Sequence, residues 1–151
     1  MEPSLIFMAR ALELAMQAGA ENEVPVGAVI VFQNQIIAEA YNKKEQEKSA
    51  TRHAELIAIE KASQALGRWR LLDCELYVTL EPCLMCAGAV IQSRLKAVYF
   101  STRDPKGGAM GSVLSIQNLP PLNHRFPTFE GLLAEESQKL LKDFFQKKRT
   151  T

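Results

Sequence analysis

Apolar side chains recur at steps of three and four near the start of the chain: Leu5, Met8, Ala9, Leu12, Ala15 and Met16. That period puts them on one face of a helix, which Gly19 can end. The pattern then changes. "VPVGAVIVF" and "QNQIIAEA" are apolar runs of strand length with Gln33-Asn34-Gln35 at the turn, as in a β-hairpin. A polar connection, Asn42 to Thr51, leads to a second helix over 52–66, with Thr51 the expected N-cap and Gly67 the stop. "ELYVTL" reads as a buried strand. Glu81-Pro82 follows and opens a third helix that runs to about Ser93, with Pro82 suited to the first helical position. "KAVYFS" gives another strand, and Thr102 to Ser112 is a glycine-rich loop. Between Ser112 and Phe129 the pattern supports one short helix and a turn at "LPPLNH". A last helix over 132–149 carries Leu133, Leu140, Leu141, Phe144 and Phe145.

The element order, α-β-β-α-β-α-β-(β)-α, implies a three-layer α/β/α fold: a central mixed five-stranded sheet flanked by helices. The helical link between the third and fourth strands suits a parallel crossover. At 151 residues the chain is expected to form a single domain, 1–151, large enough to bury a core without disulfides.

Composition narrows the function. With 47% apolar and 23% charged residues, neither disorder nor a fibrous chain is expected. The net charge of +1 advertises no polyanionic partner, so contact with nucleic acid must rest on local patches. No apolar run approaches the ~20 residues a membrane helix needs. The N-terminal stretch reads as an amphipathic helix, not a cleavable signal. Three cysteines make a poor disulfide set, and two of them form Cys83-Leu-Met-Cys86. A reducing, cytoplasmic setting follows, with metal or redox use of that pair.

Cys83 and Cys86 lie three apart at the start of a helix, so both sulfurs face one side and feel the positive end of its dipole. Taken alone, the pair fits two buried core cysteines or a thioredoxin-like redox site. His53 favours a metal. It too stands at the start of a helix that follows a β segment, in "TRHAELIAIE". Two thiolates and one imidazole suit zinc and leave a fourth position for water, as catalytic zinc sites do. Zinc lowers the pKa of such a water to as low as about 7. A proton carrier is then needed, and Glu55 is the candidate. On an ideal helix, positions two apart point in different directions. Glu55 therefore joins only if the site lies beside the first turn.

His53-Ala-Glu55 with Pro82-Cys83-x-x-Cys86 resembles the signature of the zinc-dependent nucleobase deaminases, a superfamily that includes the tRNA adenosine deaminases. "EVPVGAVIV", Asn42, "TRHAELIAI", "ELYVTLEPCLMCAGAVIQSRL", "DPKGGAMGS" and "LNHR", in that order, are similar to the bacterial tRNA adenosine deaminase family over nearly the whole chain. The zinc motif alone is shared with cytosine, guanine and deoxycytidylate deaminases. One local departure is Met110, where valine is expected.

The resemblance implies a cytidine-deaminase-like fold and one zinc ion per subunit on His53, Cys83 and Cys86. It implies hydrolysis of adenosine to inosine at the wobble position of a tRNA anticodon, with release of ammonia. Glu55 would carry the protons and Asn42 would bond the base or its ribose. The backbone N–H groups of Ala54 and Cys83 would steady the base and the incoming oxygen, with Val26, Gly27 and Ala54 as pocket neighbours. The anticodon stem-loop would meet Asp104 and Lys106 on the glycine-rich loop, Asn123 and His124 in "LNHR", and Phe145 and Arg149 on the last helix. Several of these have a second reading. Asp104 can simply turn its loop, His124 can be an ordinary loop residue, and one of Phe144 and Phe145 belongs to the core. Trp69 reads as a partly buried connector and Cys74 as core. The third helix is apolar or small on more than one face, which suggests a second subunit. The resemblance implies a homodimer and no membrane partner.

Overall fold

The computed structural model describes residues 3–119 and 123–149. Five strands form one mixed sheet in the order β2-β1-β3-β4-β5. They are β1 (Gly27–Phe32), β2 (Gln35–Tyr41), β3 (Cys74–Leu80), β4 (Ala97–Thr102) and β5 (Thr128–Glu130). β1 is antiparallel to both β2 and β3, whereas β3, β4 and β5 run parallel. Gln33 and Asn34 make the hairpin turn with φ of 52° and 60°. Two consecutive left-handed residues give the turn a twist that matches its strands.

β1 is buried along most of its length because helices cover both faces of the sheet. Its side chains alternate between the two. Ala28 and Ile30 join Leu76, Val78, Val98 and Phe100 against α2 (Ala54–Leu66) and α3 (Leu84–Ser93). Val29 and Val31 join Tyr77 against Phe7, Met8, Ala11 and Leu14 of α1 (Pro3–Ala20). The buried stripe of α1 is thus rotated from the expected one. Met8 and Ala15 are buried as expected, Phe7, Ala11, Leu14 and Ala18 join them inside, and Met16 is 56% exposed. Small and apolar residues surround much of α1, so periodicity alone left the facing side open.

Helix boundaries differ in ways that matter for chemistry. α2 starts at Ala54, with His53 as its N-cap in extended geometry (φ −79°, ψ 149°). α3 starts at Leu84, with Cys83 as N-cap (φ −77°, ψ 177°), so Pro82 lies before the cap. Gly67 ends α2 as expected, at φ 68°. The last helix, α4 (Ala134–Arg149), starts later than expected, because Gly131 and Leu133 have φ of 109° and 55°. The short helix is the 3-10 turn η1 (Ile116–Asn118). Part of the "LPPLNH" turn lies outside the described residues. α4 is tied to the end of β4 by Ser137 Oγ donating to Ser101 Oγ (2.9 Å) and Gln138 Nε2 donating to Thr102 Oγ1 (2.8 Å).

Gly27 corrects a site expectation. A Cβ there would sit 2.0 Å from the Ala11 carbonyl oxygen, 2.6 Å from Ala15 N and 2.8 Å from Leu14 Cβ. It is a point of close approach between α1 and the sheet, and a side chain there would face away from α2 and α3. Gly27→Ala is expected to cost about 3 kcal/mol, at the upper end for overpacking, because the obstacle is mostly backbone. Urea denaturation checks this, and an unchanged midpoint would contradict it.

Candidate active site

The site forms where α2 and α3 begin. His53 Nδ1 lies 3.7 Å from Cys83 Sγ and 3.5 Å from Cys86 Sγ. All three donor atoms fall within 4.8 Å of one another. With Zn–S of about 2.3 Å and Zn–N of about 2.0–2.1 Å, tetrahedral coordination requires sulfur and nitrogen roughly 3.6 Å apart. The spacing therefore fits one ion. Among the described residues no fourth His, Cys, Asp or Glu joins the group. Three protein donors leave one corner free, as a catalytic site requires.

The charges point the same way. A hydrogen bond from the Cys86 thiol, helped by His53, holds Cys83 down at about 3. That bond to Cys83, burial and the Glu55 charge push the Cys86 thiol well above its ordinary value. The two sulfurs share one hydrogen bond, so ionising Cys83 disfavours ionising Cys86. A divalent cation removes that penalty and lets both ionise. His53 is raised, chiefly by its hydrogen bond with Cys83.

Glu55 reaches this group. The difficulty of two residues' spacing disappears because His53 is extended and only Glu55 is helical. The turn at the cap brings both side chains to the same end of α2. Glu55 is buried and its carboxyl is pushed up to about 6, first by desolvation, with Cys83 adding to the shift. A carboxyl tuned toward neutrality can both take and give a proton at working pH. It lines a cavity of about 210 Å³ with Val24, Val26, Asn42, Lys44, Leu80 and Glu81 as well as His53, Cys83 and Asp104.

Asn42 and Ala54 are coupled. Asn42 Oδ1 accepts the Ala54 N–H (2.8 Å), and its Nδ2 donates to the Val24 carbonyl (3.1 Å). Asn42 thus serves as the cap that His53 does not provide. The Ala54 N–H is already taken and does not steady a base in this arrangement. A carboxamide has two donor hydrogens and two acceptor lone pairs, so Asn42 keeps one of each for a ligand.

A second cavity, of about 500 Å³, shares Val24, Leu80 and Asp104 with the first. Lys106, Phe145 and Arg149 also line it, so the structure brings these three sequence candidates together beside the metal group. Asp104 Oδ1 accepts the N–H groups of Lys106 (3.1 Å) and Gly107 (3.2 Å), so it does turn its own loop. Phe144 is half-buried under Lys148, and Phe145 is 44% exposed.

Asn123 and His124 lie elsewhere. The His124 ring bonds the Leu95 carbonyl just before β4, whereas the site opens beyond Thr102 at the strand's other end. Five residue steps at about 3.3 Å put roughly 17 Å between them. They do not join the pocket of their own chain, because the parallel pairing of β5 with β4 carries Asn123 and His124 to the opposite edge. Trp69 lies in the connection from α2 to β3, as expected, but is 56% exposed, with Arg70 over its ring at 4.8 Å. Cys74 is core.

Sequence reading missed two buried carboxylates. Glu23 is 1% exposed and accepts the N–H groups of Glu45 (3.1 Å) and Gln46 (2.8 Å), bracing the loop between Asn42 and His53. Glu81 does the same for the glycine-rich loop. Burial works against the Glu81 charge, but Ser112 and three backbone N–H donors outweigh it and hold the carboxyl below its usual range. Glu81 stood in view beside Pro82 and Cys83, and nothing in its spacing separated it from a helix-start residue.

A mixed sheet whose helices begin at a His-Cys-Cys group beside a buried carboxyl has the architecture of a metal-dependent base deaminase. The family model described as the cytidine and deoxycytidylate deaminase zinc-binding region matches residues 1–102, and the chain belongs to that family. Within it, the chain is 44% identical over 144 residues to the tRNA-specific adenosine deaminase of Bacillus subtilis, covering 95% of this chain and 89% of that one. It is 46% identical over 143 residues to the tRNA-specific adenosine deaminase of Aquifex aeolicus, covering 95% and 94%. A solved structure from work on A-to-I editing by tRNA:A34 deaminases at the wobble position superposes with a TM-score of 0.88. It is 41% identical and covers 90% of this chain and 99% of that one. A guanine deaminase from Nitrosomonas europaea superposes at 0.77 with 26% identity, over 93% and 83%.

Proposed function

We propose that the chain is a zinc-dependent tRNA adenosine deaminase that converts adenosine to inosine at the wobble position of an anticodon and releases ammonia. The observation that carries the chemistry is the three-donor group with Glu55 beside it in one small cavity. The substrate rests on the similarity to tRNA-specific adenosine deaminases along 95% of the chain. His53, Cys83 and Cys86 would hold one zinc per subunit. When bound, zinc makes a water acidic enough to serve as a nucleophile at neutral pH.

The chain's residues do the rest. Glu55 accepts the proton of the attacking water and delivers it to the ring nitrogen next to C6. As the oxygen bonds to C6, its remaining proton returns through Glu55 to the amine. The C6–N bond then breaks with formation of the C6 carbonyl, and the amine leaves as ammonia. Asn42 offers its remaining N–H and lone pair to the base. The cavity of about 210 Å³ accepts one base, so the target nucleotide must be turned out of its loop. The adjoining cavity takes a flanking nucleotide, with Phe145 as a stacking surface and Lys106 and Arg149 near phosphate. There the second oxygen of Asp104 can accept a ribose hydroxyl.

A homodimer accounts for the open groove of about 530 Å³ along α2 and α3, lined by Leu56, Ile59, Ala89 and the exposed Trp69. Asn123 and His124 would meet RNA only from a neighbouring subunit. Equilibrium sedimentation should return about twice the chain mass, and a monomer at micromolar concentration would contradict the dimer. Among the described residues no helix is long and apolar enough to cross a membrane. Ligand sulfurs that must stay reduced suit the cytoplasm.

The test of function is zinc-loaded protein with an anticodon hairpin carrying adenosine at the wobble position. Inosine should form there, with little release of ammonia from free adenine, guanine or cytosine. Turnover confined to free bases would overturn the substrate assignment.

A further inference from the structure

Glu81 takes no part in the proton transfers, yet it is 2% exposed and sits two residues before a metal ligand. Both of its oxygens are saturated. Oε1 accepts the Asp104 N–H (3.1 Å) and the Ser112 hydroxyl, while Oε2 accepts the N–H groups of Met110 (2.9 Å) and Ser112 (3.0 Å). The loop closes around it. Gly108 N–H donates to the Asp104 carbonyl (2.9 Å), Ala109 N–H donates to the Pro82 carbonyl (2.9 Å), and Gly108 bridges to Cys83. A Cβ at Gly108 would fall 2.3–2.5 Å from the three carboxylate atoms, so only glycine permits this approach. Asp104, at the head of the loop, lines both cavities, and Glu81 itself borders the smaller one.

We propose that Glu81 is a positioning residue for RNA. It fixes Asp104 as the wall between the base cavity and the flanking-nucleotide cavity, and so acts on substrate binding and not on metal or chemistry. The inference rests on the RNA-deaminase reading for its kinetic consequence only.

The pattern of donors makes Glu81→Gln specific. Four donors converge on two acceptor oxygens, and an amide supplies only one such oxygen. Its oxygen does best facing the two N–H groups of Met110 and Ser112. Its NH2 then faces the Ser112 hydroxyl, which can turn and accept, and the Asp104 N–H, which cannot. The variant therefore leaves one backbone donor unmatched, at Asp104, and a buried unmatched donor is costly.

The experiment compares wild type, Glu81→Gln and the milder Ser112→Ala, each purified with zinc. Three readouts are needed: zinc per chain, kcat and KM on the anticodon hairpin, and residue-resolved amide exchange. For Glu81→Gln, zinc should match wild type, KM should rise about tenfold with kcat within about twofold, and exchange at Asp104 should quicken about tenfold. Exchange in β3 should not change. Ser112→Ala should move in the same direction by about twofold, since three of the four donors remain. Loss of zinc, a fall in kcat at constant KM, or unaltered Asp104 exchange in either variant would each overturn the proposal. If wild type fails to deaminate the hairpin, the substrate reading fails, and the Asp104 exchange rates still decide whether Glu81 holds the loop.

Discussion

Replacing Glu55 with glutamine should lower deamination by about four orders of magnitude while zinc stays at one per chain. Acid–base assistance typically contributes about 10²–10⁴, and one carboxyl here serves both the attack and the departure of the amine, which places it at the top of that range. Glutamine keeps the volume and cannot carry a proton. Stability should move the other way. The Glu55 carboxyl is raised from 4.5 to about 6, mainly by desolvation. A carboxyl whose pKa rises on folding costs stability as pH climbs from its unfolded value, and the cost is complete above the folded value. Metal-free Glu55→Gln should therefore be more stable than metal-free wild type at pH 7 by roughly 2 kcal/mol, with the difference gone below about pH 4. Zinc analysis, single-turnover inosine assays and urea denaturation at both pH values check this. Retained activity would remove Glu55 from its role.

Cys86→Ala should lose the metal, and activity with it. Cys86 is fully buried and one of only three donors in the group. Two donors cannot hold zinc against a chelator, so occupancy after dialysis should fall below about a tenth of wild type. Acid should act on the same donors. Zinc requires neutral imidazole and ionised sulfur, and His53 is raised above its ordinary value by its bond to Cys83. Protons therefore compete for the ligands as pH falls through the neutral range, and zinc and activity should decline together. Full occupancy in the variant, or an activity profile flat to pH 4 with zinc intact, would contradict the ligand set.

Much of this architecture can be read from residue order. The hairpin, the strand after Gly67 and the short path from β3 into α3 are written in runs of apolar residues bounded by turn formers. The metal group is legible because its chemistry needs rare residue types: the chain has two histidines and three cysteines, and three of those five meet. Orientation is harder. The resemblance offered Gly27 as a pocket neighbour together with Val26, but successive residues of an extended chain face opposite ways, and a side chain at Gly27 would meet α1. Asn123 and His124 follow the family pattern in sequence, yet a parallel β5 returns them to the far end of β4. The caps were misplaced by a residue or two because Asn42, twelve positions earlier, supplies the oxygen that closes α2. Glu23 and Glu81 gave no signal because most of their partners are backbone N–H groups, which every sequence position except proline offers alike.

The most direct test of the metal centre is X-ray absorption at the zinc edge on the loaded protein. Two sulfurs at about 2.3 Å, one imidazole nitrogen near 2.0–2.1 Å and one further light atom that exchanges with solvent are the expected first shell. Four protein ligands closing the tetrahedron, or a shell without the imidazole, would contradict it.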